Sequence, residues 1–180
     1  TNWSVPLPIR TNTQAEFAPQ VAYDGNGDAI AVWERVADPN FNQTNLTAMA
    51  QQMEIVCSRW ARSSGAWSEP VALTANSYLD HAPLLCGPMA SGNVLAVWTK
   101  NAANLLLGTN TPGNDTVLWA EWSAASRSWG APQVLVDGLA YRLSQSLAGA
   151  GNHAVYAWTR DVDGVLTNDA DQEVFFMEYT

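Results

Sequence analysis

The chain has 180 residues, 47% of them hydrophobic and nine of them Trp, which suits one domain with a sizeable core. Its formal net charge is −9 with a single lysine, Lys100, and such an acidic surface repels nucleic-acid phosphates and anionic lipids. No apolar run approaches the ~18 residues of a membrane span. The composition therefore argues against nucleic acid as a partner and against membrane insertion.

Two tryptophan series at one spacing indicate an internal repeat of roughly 60 residues, about one third of the chain. One series is Trp33, Trp98 and Trp158, and the other is Trp3, Trp67 and Trp129.

The first repeat predicts four strands in chain order. They start at Ala18-Pro19, at AIAVW (29–33), at EIVCSRW (54–60) and at WSEPVAL (67–73). The second strand is apolar on both faces, which is typical of a strand buried from both sides. The Pro in the fourth strand cannot donate to a ladder, so this strand should lie at an outer edge.

The second repeat follows the same order, and the third repeat stops early. The second repeat has strands after Ala82-Pro83 and at 94–98, 116–122 and 129–135, and the third has strands at 145–148, 154–158 and 173–179. The missing fourth strand of the third repeat has its match at the N-terminus, where WSVPLPI (3–9) is similar to WSEPVAL and WGAPQVL.

These signals predict an all-β fold, a β-propeller with three four-stranded blades in this chain. The predicted limits, within a single segment 1–180, are 17–74 for blade one, 82–136 for blade two and 143–180 for blade three. Residues 1–10 would supply the outer strand of the last or a neighbouring blade. A β-sandwich is the competing architecture, but it would not give a repeat of ~60 residues.

Three blades are too few for a closed ring, because propellers have roughly 4–8 blades. We therefore expect another copy of the chain, or further blades of a longer protein, to complete a ring, with six blades as the leading prediction. The chain begins at Thr1 rather than Met, so we expect either a removed leader or a longer parent chain. Cys57 and Cys86 are either two buried thiols or a disulfide between neighbouring repeats.

The segments PQVAYDGNGDAIAVW (19–33) and SRWARSSGAWSEPVAL (58–73), with their copies, resemble the sialidase-like (BNR-type) β-propeller repeats of bacterial exported proteins. The resemblance implies a propeller fold and a location outside the cell or at its surface. Members of this group include sialidases, non-catalytic binding modules and structural surface proteins.

The sequence departs from the catalytic members of that group. Sialidases carry an Asp-box in the turn between the third and fourth strands, whereas these turns read ARSSGAW and SAASRSW. Sialidases also hold the substrate carboxylate with three arginines, but Arg59, Arg62 and Arg127 lie in outer-strand regions. The resemblance therefore argues against sialidase chemistry.

Candidate ligand-binding residues cluster where loops enter the first strand of each repeat. Alignment on the Ala-Pro positions makes Glu16, Asp80 and Arg142 equivalent, and the residues beside them are Tyr78, His81 and Tyr141. Three charged groups around a channel mouth could bind a polar ligand, and two carboxylates are the minimum set for glycoside hydrolysis. The alternative is that these are ordinary solvated loop residues.

Long loops at 34–52, 99–115 and 159–172 are expected on the same face, and long loops in compact domains often carry recognition. They contain apolar side chains that are costly to expose: Phe41, Leu105, Leu106 and Leu107. These side chains predict either a surface for a protein or glycan partner or packing of one loop on another.

Calcium is the one cofactor to consider. Asp24, Asn26 and Asp28 alternate as calcium-loop ligands do, but a distal acidic ligand is missing and a hairpin turn is the preferred interpretation. In the third long loop four carboxylates could converge on a hard cation: Asp161, Asp163, Asp169 and Asp171. A solvated acidic loop is the alternative there.

The sequence as a whole favours a non-catalytic secreted or cell-surface β-propeller that binds or scaffolds through its loop face. A carbohydrate-binding lectin is one alternative. A glycoside hydrolase of sialidase-like fold, acting through Glu16 and Asp80, is another.

Overall fold

The computed structural model describes residues 2–41, 44–106, 115–139, 142–161 and 172–180. These residues form an all-β structure of three antiparallel sheets with one short helix, α1 (Leu46–Ala50). The first sheet contains β1 (Glu16–Tyr23), β2 (Ala29–Val36), β3 (Met53–Ala61), β4 (Ala66–Trp67) and β5 (Val71–Ala72). The second sheet contains β6 (Leu79–Cys86), β7 (Val94–Asn101), β8 (Asp115–Ser123), β9 (Ser128–Trp129) and β10 (Gln133–Leu139). The third sheet contains β11 (Arg142–Ala150), β12 (His153–Asp161) and β13 (Gln172–Tyr179).

Within each sheet, strands that follow one another in the chain pair side by side. In the first sheet the strand order is β1-β2-β3-β4, and β5 also pairs with β3. In the second sheet the order is β6-β7-β8-β10, and β9 also pairs with β8. The third sheet has the order β11-β12-β13. The pairing between the second and third strands has the same register in all three sheets. The tryptophan of the second strand lies opposite Val56 in the first sheet (Trp33), Leu118 in the second (Trp98) and Phe175 in the third (Trp158). Residues at the same step from these tryptophans are therefore structurally equivalent.

A β-bulge recurs near the start of each first strand. The register shifts within residues 17–20, 81–84 and 142–145. In the first two sheets the bulge contains Ala-Pro, with Ala18 and Ala82 at φ values of 49° and 53°. Because the following proline has no N–H, the bulge interrupts the ladder without leaving that donor unpaired.

Prolines interrupt the outer edges, as the sequence predicts. Pro70 lies between β4 and β5, and Pro132 lies between β9 and β10. The strands on either side pair separately with β3 or β8, because the proline cannot donate to the ladder.

The sheets stack face to face, and the core lies between them. Between the first and second sheets, Val32, Ile55 and Cys57 pack against Ala96 and Trp98, and all five are at most 3% exposed. Between the second and third sheets the buried side chains include Val97, Val117, Tyr156 and Trp158. The strands β2 and β7 are buried on both faces, as their sequences predict.

The glycine-rich turns fasten the first sheet to the second. The N–H of Gly25 donates to the carbonyl of Gly92 at 2.8 Å, and the carboxylate of Asp24 accepts a hydrogen bond from Trp122 Nε1 at 3.2 Å. A Cβ on Gly25 would come within 2.6 Å of the Gly92 Cα. This approach of two turns therefore requires glycine.

The N-terminal segment forms no strand in the single chain. Residues 2–8 are unpaired and Trp3 is fully exposed, whereas Ile9 packs on the first sheet with Trp33. Among the described strands, β13 pairs with β12 alone. The assignment of residues 1–10 to an outer strand, the blade limits and the six-bladed ring stay predictions.

The two cysteines are free thiols in separate core clusters. Burial raises the pKa of Cys57 and of Cys86 to about 11. This agrees with the interpretation as two small buried thiols. In the described part of the chain, no helix has the length and apolarity needed to cross a membrane.

Candidate functional site

The first residues of β1, β6 and β11 lie at one end of the stack, which we call the loop end. Three of the predicted site residues occupy equivalent positions on the first strands. Each lies opposite a basic residue of the second strand, two residues after the repeat tryptophan: Glu16 opposite Arg35, Asp80 opposite Lys100 and Arg142 opposite Arg160. The environments of Glu16 and Asp80 differ sharply.

Asp80 is fully buried, with 0% of its surface exposed. Its Oδ1 accepts a hydrogen bond from Trp98 Nε1 at 3.1 Å, and its Oδ2 accepts one from Asn76 Nδ2 at 2.6 Å. Burial, together with the nearby charge of Glu54, raises the pKa of Asp80 to about 6. The carboxyl group ties the start of β6 to the core tryptophan of the second sheet.

Glu54 lies beside Asp80 and was not among the residues that the sequence predicted. It is only 6% exposed, and its Oε1 accepts a hydrogen bond from the N–H of Asn76 at 2.7 Å. Burial raises the pKa of Glu54, and the hydrogen bond from the Asn76 N–H acts in the opposite direction. Glu54 Oε2 is buried and has no hydrogen-bond partner among the described residues.

A pattern in the sequence could have indicated Glu54. It lies opposite Arg35 across the β2–β3 pair, and at the equivalent place in the third sheet Glu173 lies opposite Arg160. An acid at the start of the third strand facing a base at the end of the second is a cross-strand charge pair.

Glu16 is held in an ion pair. Its Oε1 accepts hydrogen bonds from Arg35 Nε at 2.9 Å and Nη2 at 2.7 Å, and from Asn12 Nδ2 at 3.0 Å. Partial burial raises the pKa of Glu16, but the hydrogen bonds from Asn12 and Arg35 outweigh it and lower the pKa below its ordinary value. Glu16 is therefore ionised at neutral pH.

The remaining predicted residues are placed only in part. Tyr78 is partly exposed, and Lys100 Nζ lies 5.3 Å from the centre of its ring. His81 follows Asp80 in β6 and is half-buried. The backbone of Arg142 begins β11, and Tyr141 lies outside the described residues. Tyr78, Asp80 and His81 lie at the start of the second sheet because they are neighbours in the sequence, and their role as a ligand site stays a prediction.

An open cleft of about 750 Å³ lies against the first sheet at the loop end. Its polar lining consists of Gln14, Arg35, Glu54, Thr74, Asn76 and Ser77. A short apolar floor is formed by Val56 and Ala72. Guanidinium, amide, hydroxyl and carboxyl groups around a small apolar surface are typical of a cleft for a polar ligand.

The described parts of the first two long loops pack into one apolar cluster. Phe41 and Leu106 come from different loops and join one buried cluster with Val36, Met53 and Leu79. This contact is the loop-on-loop alternative predicted for the apolar loop residues. Leu105 is partly exposed, and Leu107 lies outside the described residues.

The first hairpin turn uses its carboxylates for protein hydrogen bonds. Asp24 Oδ1 accepts hydrogen bonds from the N–H groups of Asn26 and Asp28 at 2.9 and 3.0 Å. Asp28 in turn accepts hydrogen bonds from Arg59 Nη1 at 2.6 Å and from the N–H of Arg62 at 2.9 Å. These contacts fit the preferred interpretation of the segment as a hairpin turn.

The second calcium hypothesis cannot be placed on the structure. Asp161 ends β12, whereas Asp163, Asp169 and Asp171 lie outside the described residues. Within the described ranges, no three His, Cys, Asp or Glu side chains are grouped in a way that could hold a metal ion. Calcium in the third long loop stays a prediction.

Comparisons with known proteins identify the fold. No family model and no curated protein matches the sequence. Among solved structures, the chain is similar to a Hadza microbial sialidase, with a TM-score of 0.61 and 13% identity over 81% of this chain and 32% of that chain. It is also similar to a protein of unknown function from Dyadobacter fermentans, with a TM-score of 0.56 and 13% identity over 94% of this chain and 52% of that chain.

A third similar structure is the Penicillium chrysogenum alpha-L-arabinanase in complex with arabinobiose, with a TM-score of 0.54 and 14% identity over 91% of this chain and 46% of that chain. These similarities support a β-propeller fold for the chain. The chain spans between about a third and a half of the length of these three structures. At such low identities the likeness concerns the fold alone.

Proposed function

We propose that this β-propeller segment is a non-catalytic binding module that contacts a polar ligand, with carbohydrate as the first ligand class to test, in the cleft at the loop end. The observation that carries the proposal is the state of the two candidate catalytic carboxyls. Asp80 is fully buried and bonded to Trp98 and Asn76, and Glu16 is neutralised by Arg35.

Glycoside hydrolysis needs two carboxyl groups that flank the scissile bond, one of them a proton donor. Asp80 has a raised pKa that suits a proton donor, but no part of its surface can meet a substrate in this conformation. Glu16 has a lowered pKa and an arginine partner, so it cannot supply the proton. The two residues together support binding without turnover.

Support for a carbohydrate ligand comes from the chemistry of the cleft. Arg35, Thr74 and Ser77 line the cleft with guanidinium and hydroxyl groups, a chemistry that suits the hydroxyl-rich surface of a sugar. Two of the similar structures are named as a sialidase and an arabinanase. That is an analogy at the level of the fold, and it ranks sugars ahead of other polar ligands.

The test is binding of the chain to a glycan array, followed by titration of any hit with two variants. Ser77→Tyr places a bulky ring in the cleft and is expected to weaken binding at least about tenfold, a loss of roughly 1.4 kcal/mol. Ser63→Tyr, in the exposed turn between β3 and β4, is the matched control and should bind like the wild type. No binding on the array, with capture of a protein partner that Ser77→Tyr abolishes, would replace the sugar by a protein ligand.

A hydrolase is the second candidate, favoured by the raised pKa of Asp80 alone. Turnover of any substrate in a broad glycoside panel, lost in both Glu16→Gln and Asp80→Asn, would overturn the non-catalytic proposal.

A location outside the cell or at its surface is also proposed, on the resemblance of the repeats to those of exported proteins. Fractionation of cells that express the native gene tests it.

A further inference from the structure

The outer face of the third sheet lacks the cover that its counterparts have. Val174 is 73% exposed, whereas the equivalent residues Ile55 and Val117 are both 0% exposed. Phe176 is 69% exposed, whereas its equivalent Cys57 is 3% exposed. In the first two sheets these positions face the next sheet of the stack, so the third sheet presents the same face without a neighbour.

The outer face of the first sheet is only partly covered, since Ile9 and Trp67 pack on its centre at Trp33 but leave its first strand exposed. Val21 pairs with Ala31 and is mostly exposed, as is Tyr23. The equivalents of Val21 are Leu85 and Leu147, and both pack against the preceding sheet. The two end faces of the stack therefore expose equivalents of the residues that meet between neighbouring sheets.

Among the described residues no strand pairs with the outer edge of β13, and an apolar cleft lies at the position that an outer-strand tryptophan has in the second sheet. In the second sheet, Trp129 on the outer strand packs into the interface with the first sheet, in a cluster that includes Cys57 and Leu73. The equivalents of Cys57 and Leu73 one sheet further along are Trp119 and Leu135. These two residues, with Met177 and Tyr179, line an apolar cleft of about 130 Å³ between the second and third sheets.

The chain itself carries the segment that fits this place. Residues 3–9 (WSVPLPI) match the outer strands at 67–73 and 129–135, and Trp3 is fully exposed. The outer-strand tryptophans pair with Trp60 and Trp122, whose equivalent is Tyr179. Trp3 should therefore face Tyr179, as Trp129 faces Trp122.

The register can be predicted residue by residue. In the first sheet the N–H of Ser68 donates a hydrogen bond to the carbonyl of Arg59 at 2.8 Å. In the second sheet the N–H of Gly130 donates one to the carbonyl of Glu121 at 2.8 Å. By equivalence, the N–H of Ser4 donates to the carbonyl of Glu178.

The segment cannot fill this place within its own chain. Residues 3–8 would lie along β13 at one end of the stack, but Ile9 packs on Trp33 at the opposite end. Two stacked sheets, roughly 20 Å at ~10 Å a sheet, separate the two places, whereas consecutive residues are only ~3.8 Å apart. The segment fits a third sheet that lies directly on the outer face of the first sheet.

We propose that a second copy of this chain supplies that sheet. The third sheet of one copy stacks on the first sheet of the other, and residues 3–8 of the second copy pair with β13 of the first, with Trp3 in the apolar cleft. The exchange is reciprocal, so two copies give six sheets, a number within the ~4–8 of closed propellers.

The first test is the solution mass of the full chain by light scattering. The expected result is twice the chain mass of 19.5 kDa, and a monomer at all accessible concentrations overturns the proposal. Val174→Asp puts a charge in the proposed interface and should give a folded monomer. Val134→Asp, a similarly exposed valine outside the interface, is the matched control and should stay dimeric.

The second test is a disulfide between copies, which does not depend on how Val174→Asp folds. Two single variants, Ser4→Cys and Glu178→Cys, are mixed and oxidised mildly, and a covalent dimer is expected because the paired positions lie within disulfide reach. Ser4→Cys mixed with Glu173→Cys, which is out of register, should give none. Equal yields from the two mixtures, or a dimer that persists in Val174→Asp, would overturn the proposed packing.

Discussion

At the scale of single residues, the most informative group is the buried carboxyl pair of Asp80 and Glu54. Both pKa values are raised, with burial as the largest cause, so the folded chain holds a proton that the unfolded chain releases at lower pH. Asp80 therefore stabilises the fold fully below its ordinary pKa of 3.8, and this contribution to the free energy of unfolding is lost as the pH rises to about 6.

The free energy of unfolding should therefore fall between about pH 4 and pH 6, by up to roughly 3 kcal/mol from Asp80. Urea unfolding at several pH values measures this slope. Asp80→Asn should flatten the slope, whatever its effect on the stability at any one pH. A wild-type slope that persists unchanged in Asp80→Asn would show that other groups cause it. Glu16 and Asp28 have lowered pKa values and act in the opposite sense at lower pH.

At the scale of elements, the glycine contact between the first two hairpin turns decides how closely two sheets approach. Gly25→Ala would place a Cβ 2.6 Å from the Gly92 Cα and strain the hydrogen bond between the turns. We expect a loss of about 1–3 kcal/mol in the free energy of unfolding, as for other overpacked sites. Gly130→Ala is the control, because its Cβ would meet only the Glu121 carbonyl at 3.6 Å. Equal effects of both changes would contradict this account of the turns.

At the scale of the whole molecule, the uncovered end faces should make stability depend on concentration. If two copies close one ring, only the folded dimer gains from association, and the melting temperature should rise with protein concentration. Trp3→Ala should weaken this dependence without changing the fold of the single chain, since Trp3 makes no buried contact there. Differential scanning calorimetry over a wide concentration range measures it. A melting temperature independent of concentration contradicts the dimer.

The fold followed closely from the sequence, because each repeat presents the same local chemistry. Gly/Asn turns, apolar second strands and prolines in the fourth strand each restrict the backbone directly. The roles of the site residues were predicted less well from the sequence. Asp80 was singled out as a surface ligand, yet it serves as a buried acceptor for Trp98, and no local pattern distinguishes these two roles. Glu54 was missed because its partners come from another strand and another loop.

The sequence by itself determined the strands of the three sheets and their order, because hydrophobic periodicity and proline act within a few residues. Only the tertiary structure decided which carboxyls are buried, which loops pack together and which sheet faces are left uncovered. Those properties arise from contacts between residues far apart in the chain. The first tryptophan of the second series shows the difference, since its match to Trp67 and Trp129 is visible in the sequence. The apolar cleft into which we place it is formed by two stacked sheets and exists only once the chain has folded.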